Sequence, residues 1–476
     1  DRTRTYKHPD KPDINVELNV GTGDTAIYFE TDMGSRAGAE ISTDIEMPRA
    51  GKELMESEEV YRMGDDVDYY KVVYNTTNTA GLPTIASGGF AIPNNASCDS
   101  FALGLYCHGT TLNKDDVPSR NNYESIVGKL FGSKGFIMCC PDYLGMGDSP
   151  GLHPYVHGGS EAITSLDMLR AVREYLLDSM SISDNGEVFI TGYSQGGHAA
   201  MATHKYVEEN GLLSEFNIVA SAPASGPYDM SGSQSELLLS NDPYTNPGYI
   251  VYLLASYQLV YGNLYTTYAD ILKFPYDTIV PPYFDGNNYS YSMGDLNPLL
   301  PMQLEDLIED TVLQNFNADT MHPLWVALRD NDNYNWIPQR PVRMYYCTLD
   351  EQVHYTNAIE ADTYMNSNGA PNVSSANMGP SNHSDCALDA LIGAFYWAND
   401  FLSSCALVSV PDESIEHKLV LYPNPSSGFV NIQSEKLMEW VSLVDLQGKR
   451  VSRINCQGKD VQLNYSATPE GYYILV

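Results

Sequence analysis

The sequence predicts an α/β protein: a mostly parallel sheet covered by helices, carrying a helical lid insertion, with a small β-sandwich at the C-terminal end. Three observations predict it. Short runs that are apolar on both faces alternate with amphipathic helical segments, as buried parallel strands and their crossover helices require. The alternation stops between about Tyr228 and Trp336, where Tyr, Leu, Asn and Pro dominate. From Lys418 onward, short strands stand between turn residues.

Length and charge agree with this reading. At ~100–200 residues per domain, 476 residues make two or three domains, and 43% hydrophobic residues suffice for a large core. With 26 Lys and Arg against 61 Asp and Glu, the net charge is −35, which repels phosphate backbones and makes nucleic acid an unsuitable partner. No run reaches the ~18 consecutive apolar residues of a bilayer span. The chain begins DRTRTYKHPD and reads as a mature form from which an export signal has been removed.

Cysteines stand at Cys98, Cys107, Cys139, Cys140, Cys347, Cys386, Cys405 and Cys456, an even set that suits an oxidising compartment. Several lie in apolar runs, where a free thiol is a small hydrophobe. Cys386 and Cys405 flank a helical segment and are too far apart to bridge each other. No Cys or His spacing is that of a zinc site, and no cofactor is expected.

Taken in order, residues 1–64 are acidic, rich in Gly and Thr and weakly periodic, so an irregular extension is expected. Val67–Tyr74 and Thr84–Ile92 alternate as strands around the Gly81 and Pro83 turn, an antiparallel hairpin. Parallel strands follow at Phe101–Cys107, Gly135–Cys140, Val188–Thr191, Ile218–Ala222 and Val342–Cys347. Ser160–Leu177 and Ala387–Leu402 carry helical apolar stripes. The insertion, about 228–338, spaces Tyr244, Tyr249, Tyr252, Tyr257, Tyr261, Tyr265 and Tyr268 at near-helical intervals. Such a series packs as a helical insertion with hydroxyls reaching water, and also suits a cap with an aromatic inner wall over a site. Residues 404–417 form a polar linker, and 418–476 hold five short strands: Lys418–Tyr422, Phe429–Gln433, Val441–Asp445, Val461–Tyr465 and Tyr472–Val476.

The chemistry concentrates at one turn. Val188–Thr191 runs into Gly192-Tyr193-Ser194-Gln195-Gly196-Gly197, with a helix-compatible segment directly after it. Side chains at Gly192 and Gly196 would collide in so tight a strand-to-helix turn, which strains Ser194 and exposes its hydroxyl. A second Gly-x-Ser-x-Gly, Gly147–Gly151, follows a loop and places Pro150 where an amide donor is needed, so Ser149 reads as a turn residue.

A serine hydroxyl needs a histidine to take its proton and a carboxylate to hold that histidine. Asp350, at the end of the Val342 strand, is the best acid, with Glu351 as the fallback. Of His354, His383 and His417, His383 stands in a loop before the last helix and can swing over the sheet edge to Ser194. The backbone amides of Thr110, after the Phe101 strand, and of Gln195 are the expected oxyanion donors, while His108 shapes the loop. Asp330–Asn335 opens like a calcium loop but lacks its Gly and Glu, and reads as a solvated turn.

His108-Gly109-Thr110, Asp142–Gly147, the Ser194 turn, Asp350 and His383 together resemble an α/β-hydrolase of the secretory-lipase type, over roughly residues 65–403. The resemblance implies a metal-free serine hydrolase acting on carboxylic esters through an acyl-enzyme, beneath a helical lid. Leu419–Pro425, Gly448-Lys449 and Gly471-Tyr472-Tyr473 resemble a type IX secretion sorting domain, implying the type IX machinery as a partner and export by a Gram-negative bacterium. A peptidase or amidase on the same fold and a non-catalytic surface-binding protein are the alternative readings.

Overall fold

The computed structural model describes residues 67–93, 100–133, 135–180, 182–240 and 242–401, together with strand segments within 3–29 and 420–475. Contacts divide the chain into two units, residues 1–56 with 60–405 and residues 57–59 with 406–476.

The N-terminal segment departs from the irregular extension expected of it. It holds β1 (Thr3–His8), β2 (Lys11–Asn19) and β3 (Tyr28–Phe29), paired antiparallel in that order. Ile14, Val16 and Leu18 alternate with polar residues, a two-residue period that a strand satisfies.

The main sheet has eight strands. The hairpin β4 (Val67–Thr77) and β5 (Pro83–Pro93) turns at Gly81, whose φ is +73°. Then come β6 (Ser100–Cys107), β7 (Phe136–Pro141), β8 (Ser183–Tyr193), β9 (Asn217–Ala224), β10 (Val342–Tyr346) and β11 (Val373–Asn377). Their order is β11-β10-β9-β8-β6-β7-β5-β4, parallel from β11 to β7. Edge strand β11 lies outside the sequence reading because Val373-Ser374-Ser375-Ala376-Asn377 is half-buried and has no apolar run. Only its pairing with β10 makes it a strand.

Helices cover both faces. Glu124–Gly132 and His383–Ala398 pack on one, where Phe131, Phe136, Phe189 and Phe395 share a core and Phe131 meets Phe395 edge to face at 5.2 Å. Gly158–Tyr175 and Gln195–Glu209 pack on the other, against Leu103, Ile137, Val188 and Ile190. Each fully buried aromatic or branched side chain contributes ~1.5–3 kcal/mol. Strands β6, β8 and β10 therefore end at one carboxyl edge, where the loops carrying Thr110, Ser194 and Asp350 begin.

The insertion is a helical cap with its own apolar core, built on Pro247–Tyr261, Asp310–Ala318 and Pro323–Asp330. Two of its tyrosines do not reach water as expected. Tyr252 and Tyr257 are buried, and their hydroxyls donate to the carbonyls of Thr111 (3.4 Å) and Val156 (3.1 Å). The expected solvated turn at Asp330–Asn335 is likewise buried at its centre, Asn331 to Asn333. Asp332 accepts from the Ser231 amide (2.9 Å) and hydroxyl (2.6 Å), and the Asn333 amide donates to the Tyr228 carbonyl (2.7 Å). These acidic and amide groups close the neck where the cap returns to the sheet. No helix among the described residues is long and apolar enough to cross a membrane.

The smaller unit has β12 (Val420–Tyr422), β13 (Phe429–Asp445), β14 (Arg450–Asn464) and β15 (Tyr473–Leu475) in one antiparallel sheet, around Val430, Ile432, Val441 and Leu463. The strands expected at Phe429–Gln433 and Val441–Asp445 are the two ends of β13. Ser434-Glu435-Lys436 holds no Gly, Pro, Asn or Asp, and register shifts between Gln433 and Met438 absorb the interruption. The linker, His417, Cys98 and Cys405 lie outside the described residues.

Candidate active site

Ser194 stands between β8 and the helix Gln195–Glu209, with φ 60° and ψ −122°. This is a conformation that non-glycine residues rarely adopt, and the surroundings hold it there. A Cβ at Gly196 would lie 1.8 Å from the Cys107 carbonyl oxygen, and one at Gly192 would lie 2.2 Å from the Gly196 carbonyl oxygen. The two glycines thus let the elbow press against the end of β6, as the motif predicts.

Asp350, from the loop after β10, and His383, from the start of a helix, reach this serine from positions distant in sequence. His383 Nε2 is 2.9 Å from Ser194 Oγ, and His383 Nδ1 is 2.7 Å from Asp350 Oδ2. With Nδ1–H donating to the carboxylate, Nε2 is left as the acceptor for the serine hydroxyl proton. The other oxygen of Asp350 accepts from the amides of Gln352 (3.1 Å) and Val353 (2.9 Å). All three side chains are more than nine-tenths buried. Glu351, the fallback acid, is exposed and does not reach the imidazole; its carboxylate accepts from the His383 backbone amide at 3.1 Å.

His383 is the first residue of a helix, not a loop histidine. The Asn382 side chain caps that helix by accepting from the Asp385 amide at 2.9 Å. Asn382 followed three residues later by Asp385 is a helix-start signal that was present in the sequence.

The Thr110 loop follows β6 beside the elbow. Among the described residues, neither the Thr110 nor the Gln195 backbone amide is committed to a loop or cap hydrogen bond. His108 is buried against Tyr143, with Nδ1 2.8 Å from the Gly109 carbonyl, and so shapes the loop. A groove of about 360 Å³ opens here, lined by Gly109, Thr110, Tyr193, Ser194 and His383. A smaller space of about 40 Å³ lies on the cap side of Ser194, against Tyr155, Tyr249, Leu253 and Val353.

The architecture of the larger unit has counterparts among solved structures. The rice cell wall degrading esterase LipA from Xanthomonas oryzae is 27% identical and has a TM-score of 0.66, over 78% of this chain and 97% of that one. The larger unit has the α/β-hydrolase fold. Candida antarctica lipase A in its closed state shares the fold at 15% identity, with a TM-score of 0.54 over 78% of this chain and 81% of that one. Residues 420–476 match the secretion system C-terminal sorting domain. The chain thus joins an esterase- and lipase-like hydrolase fold to a secretion sorting tail. No curated protein matches the sequence.

Several parts of the hydrolase unit that serve the site escape sequence reasoning. The Tyr193 hydroxyl donates to the His383 carbonyl at 2.5 Å, tying the elbow to the histidine helix. A disulfide joins Cys347 to Cys386. Glu161, fully buried, lies behind the elbow against Gln195 and His198. Ser149 is the turn residue expected of it: its amide donates to the Met146 carbonyl, and its own carbonyl accepts from Lys114 Nζ at 3.0 Å. His354 bonds locally to Thr356, at 2.8 Å. Among the described residues, no group of three or more His, Cys, Asp or Glu side chains is arranged to hold a metal ion.

Proposed function

We propose that the chain is an exported serine carboxylic-ester hydrolase. The observation that carries this reading is the relay from Ser194 Oγ through His383 to Asp350 Oδ2. Ser194 attacks the ester carbonyl while His383 Nε2 takes its proton, and Asp350 holds the imidazole and stabilises its charged form. The oxyanion forms against the Thr110 and Gln195 amides, at the N-terminus of the nucleophile helix, where negative charge is favoured. His383 then returns the proton to the departing alcohol, and water releases the acid from Ser194. The esterase and lipase structures that share the fold support ester chemistry. The sorting tail supports passage through the type IX secretion machinery to the surface or medium of a Gram-negative bacterium.

The test is labelling by a fluorophosphonate together with turnover of p-nitrophenyl butyrate and an aminoacyl-naphthylamide. Ester turnover and labelling, both lost in Ser194→Ala, are expected. Faster cleavage of the amide would make the chain a peptidase or amidase, and a folded wild-type protein that neither labels nor turns over would be a binding protein.

A further inference from the structure

Behind the elbow, on the side away from the triad, lies a buried polar cluster that the ester mechanism does not use. Glu161 stands in the first turn of the helix Gly158–Tyr175, 1% exposed, with no lysine or arginine among its hydrogen-bond partners. Its Oε1 accepts from Gln195 Nε2 at 3.0 Å, and its Oε2 accepts from His198 Nδ1 at 2.7 Å. The second proton of the Gln195 amide goes to His153 Nε2 at 2.7 Å, and His153 Nδ1 donates to the Leu144 carbonyl at 2.8 Å. His198 Nε2 lies 3.0 Å from the Asn331 carbonyl, at the point where the cap returns. Gln195, His198 and His153 are all buried.

Removing a carboxylate from water costs several kcal/mol, which the hydrogen bonds from Gln195 and His198 offset. Here they constrain the first turn of the nucleophile helix at two points. Gln195 is the residue whose backbone N–H faces the expected oxyanion, and His198 follows it by three positions, nearly one turn along. One carboxylate from a neighbouring helix therefore sets where that turn sits relative to the sheet.

We infer that Glu161 is a positioning residue for the oxyanion hole, fixing the Gln195 amide through its side chain. The inference rests on the ester-hydrolase reading. An oxyanion donor works only within ~2.7–3.1 Å of the developing charge, and a misplacement of ~1 Å can cost ~10²-fold in rate. Glu161 touches no substrate, so its removal should lower kcat and spare KM.

The test measures kcat, KM and inhibition by butylboronic acid, whose tetrahedral serine adduct places an oxygen in the oxyanion hole. In Glu161→Ala, kcat should fall about 10–100-fold with KM within about twofold, and the boronate should weaken in parallel. Glu161→Gln keeps an acceptor for Gln195 and should restore most of the loss. A Glu161→Ala kcat within about twofold of wild type, a loss confined to KM, or a Glu161→Gln loss as deep as that of alanine would overturn the inference. Where alanine fails to fold, Gln195→Met, similar in volume but without the two side-chain bonds, decides it by the same kcat criterion. Wild-type protein with neither labelling nor turnover would instead remove the ester-hydrolase reading.

Discussion

Cys347 and Cys386 are disulfide-bonded, and each stands three residues from a member of the acid–histidine pair: Asp350 follows Cys347, and His383 precedes Cys386. The bond staples the end of β10 to the first turn of the histidine helix. It spans a sequence separation of 39 residues, for which chain entropy predicts about 4 kcal/mol of stabilisation. Cys347→Ala with Cys386→Ala should therefore lose about 3–4 kcal/mol in urea unfolding. A change below about 1 kcal/mol would show that the staple does not set stability.

The two neighbouring carboxylates should behave differently. Asp350→Asn reverses the hydrogen bond to Nδ1 and favours the wrong imidazole tautomer, so kcat should fall about 10⁴-fold. Glu351→Ala removes an exposed acceptor for the His383 amide and the Gln352 side chain and should cost about 1 kcal/mol of stability, with kcat changed less than about tenfold. Purified variants compared on p-nitrophenyl butyrate decide between the two.

Glycines near the site divide by the space around them. Alanine at Gly196 would place its Cβ 1.8 Å from a backbone carbonyl and should cost about 3 kcal/mol or more along with activity. Alanine at Gly159 meets nothing closer than 3.4 Å, within a helix, and should be neutral or stabilise by up to about 1 kcal/mol. Thermal unfolding of the two variants provides the comparison.

The cap is hydrogen-bonded to the loops around the triad. Lys114 Nζ donates to the Gly286 carbonyl (3.1 Å), Asn288 Nδ2 to that of Leu112 (3.2 Å) and Ser256 Oγ to that of His153 (2.8 Å). Each buried bond left unmade costs ~1–3 kcal/mol, so lifting the cap disturbs the Thr110 loop at considerable cost. The rate on tributyrin should follow one hyperbola through its solubility limit. A sharp rise at that limit would show that the cap opens at an oil surface.

Burial holds the His153 imidazole neutral, with its pKa pushed down to about 4. An unfolded chain takes up that proton near pH 6.5, so it binds more protons than the folded one between about pH 6.5 and 4. The stabilisation is therefore present above pH 6.5 and is lost as pH falls towards 4. Between pH 7 and 4.5 the wild type should lose about 3 kcal/mol more than His153→Gln in urea unfolding, and equal losses would refute the assignment.

The alternation of apolar runs and helical stripes, the elbow glycines, and the order serine, acid, histidine all lie in the chain itself. They follow from local sterics and periodicity, which nearby residues impose, so the fold class and candidate triad were legible there. Strand β11, the buried tyrosine hydroxyls of the cap, the Cys347–Cys386 pairing and the Glu161 cluster were not. Each depends on partners distant along the sequence. Ser374 and Ser375 form a strand only because β10 offers unpaired amides and carbonyls, and Glu161 remains buried only because Gln195 and His198 meet it. Local pattern determines which residues can form an element. Only the packing of distant elements decides which polar groups find each other once water is excluded, because an unpaired group costs too much there to be left alone.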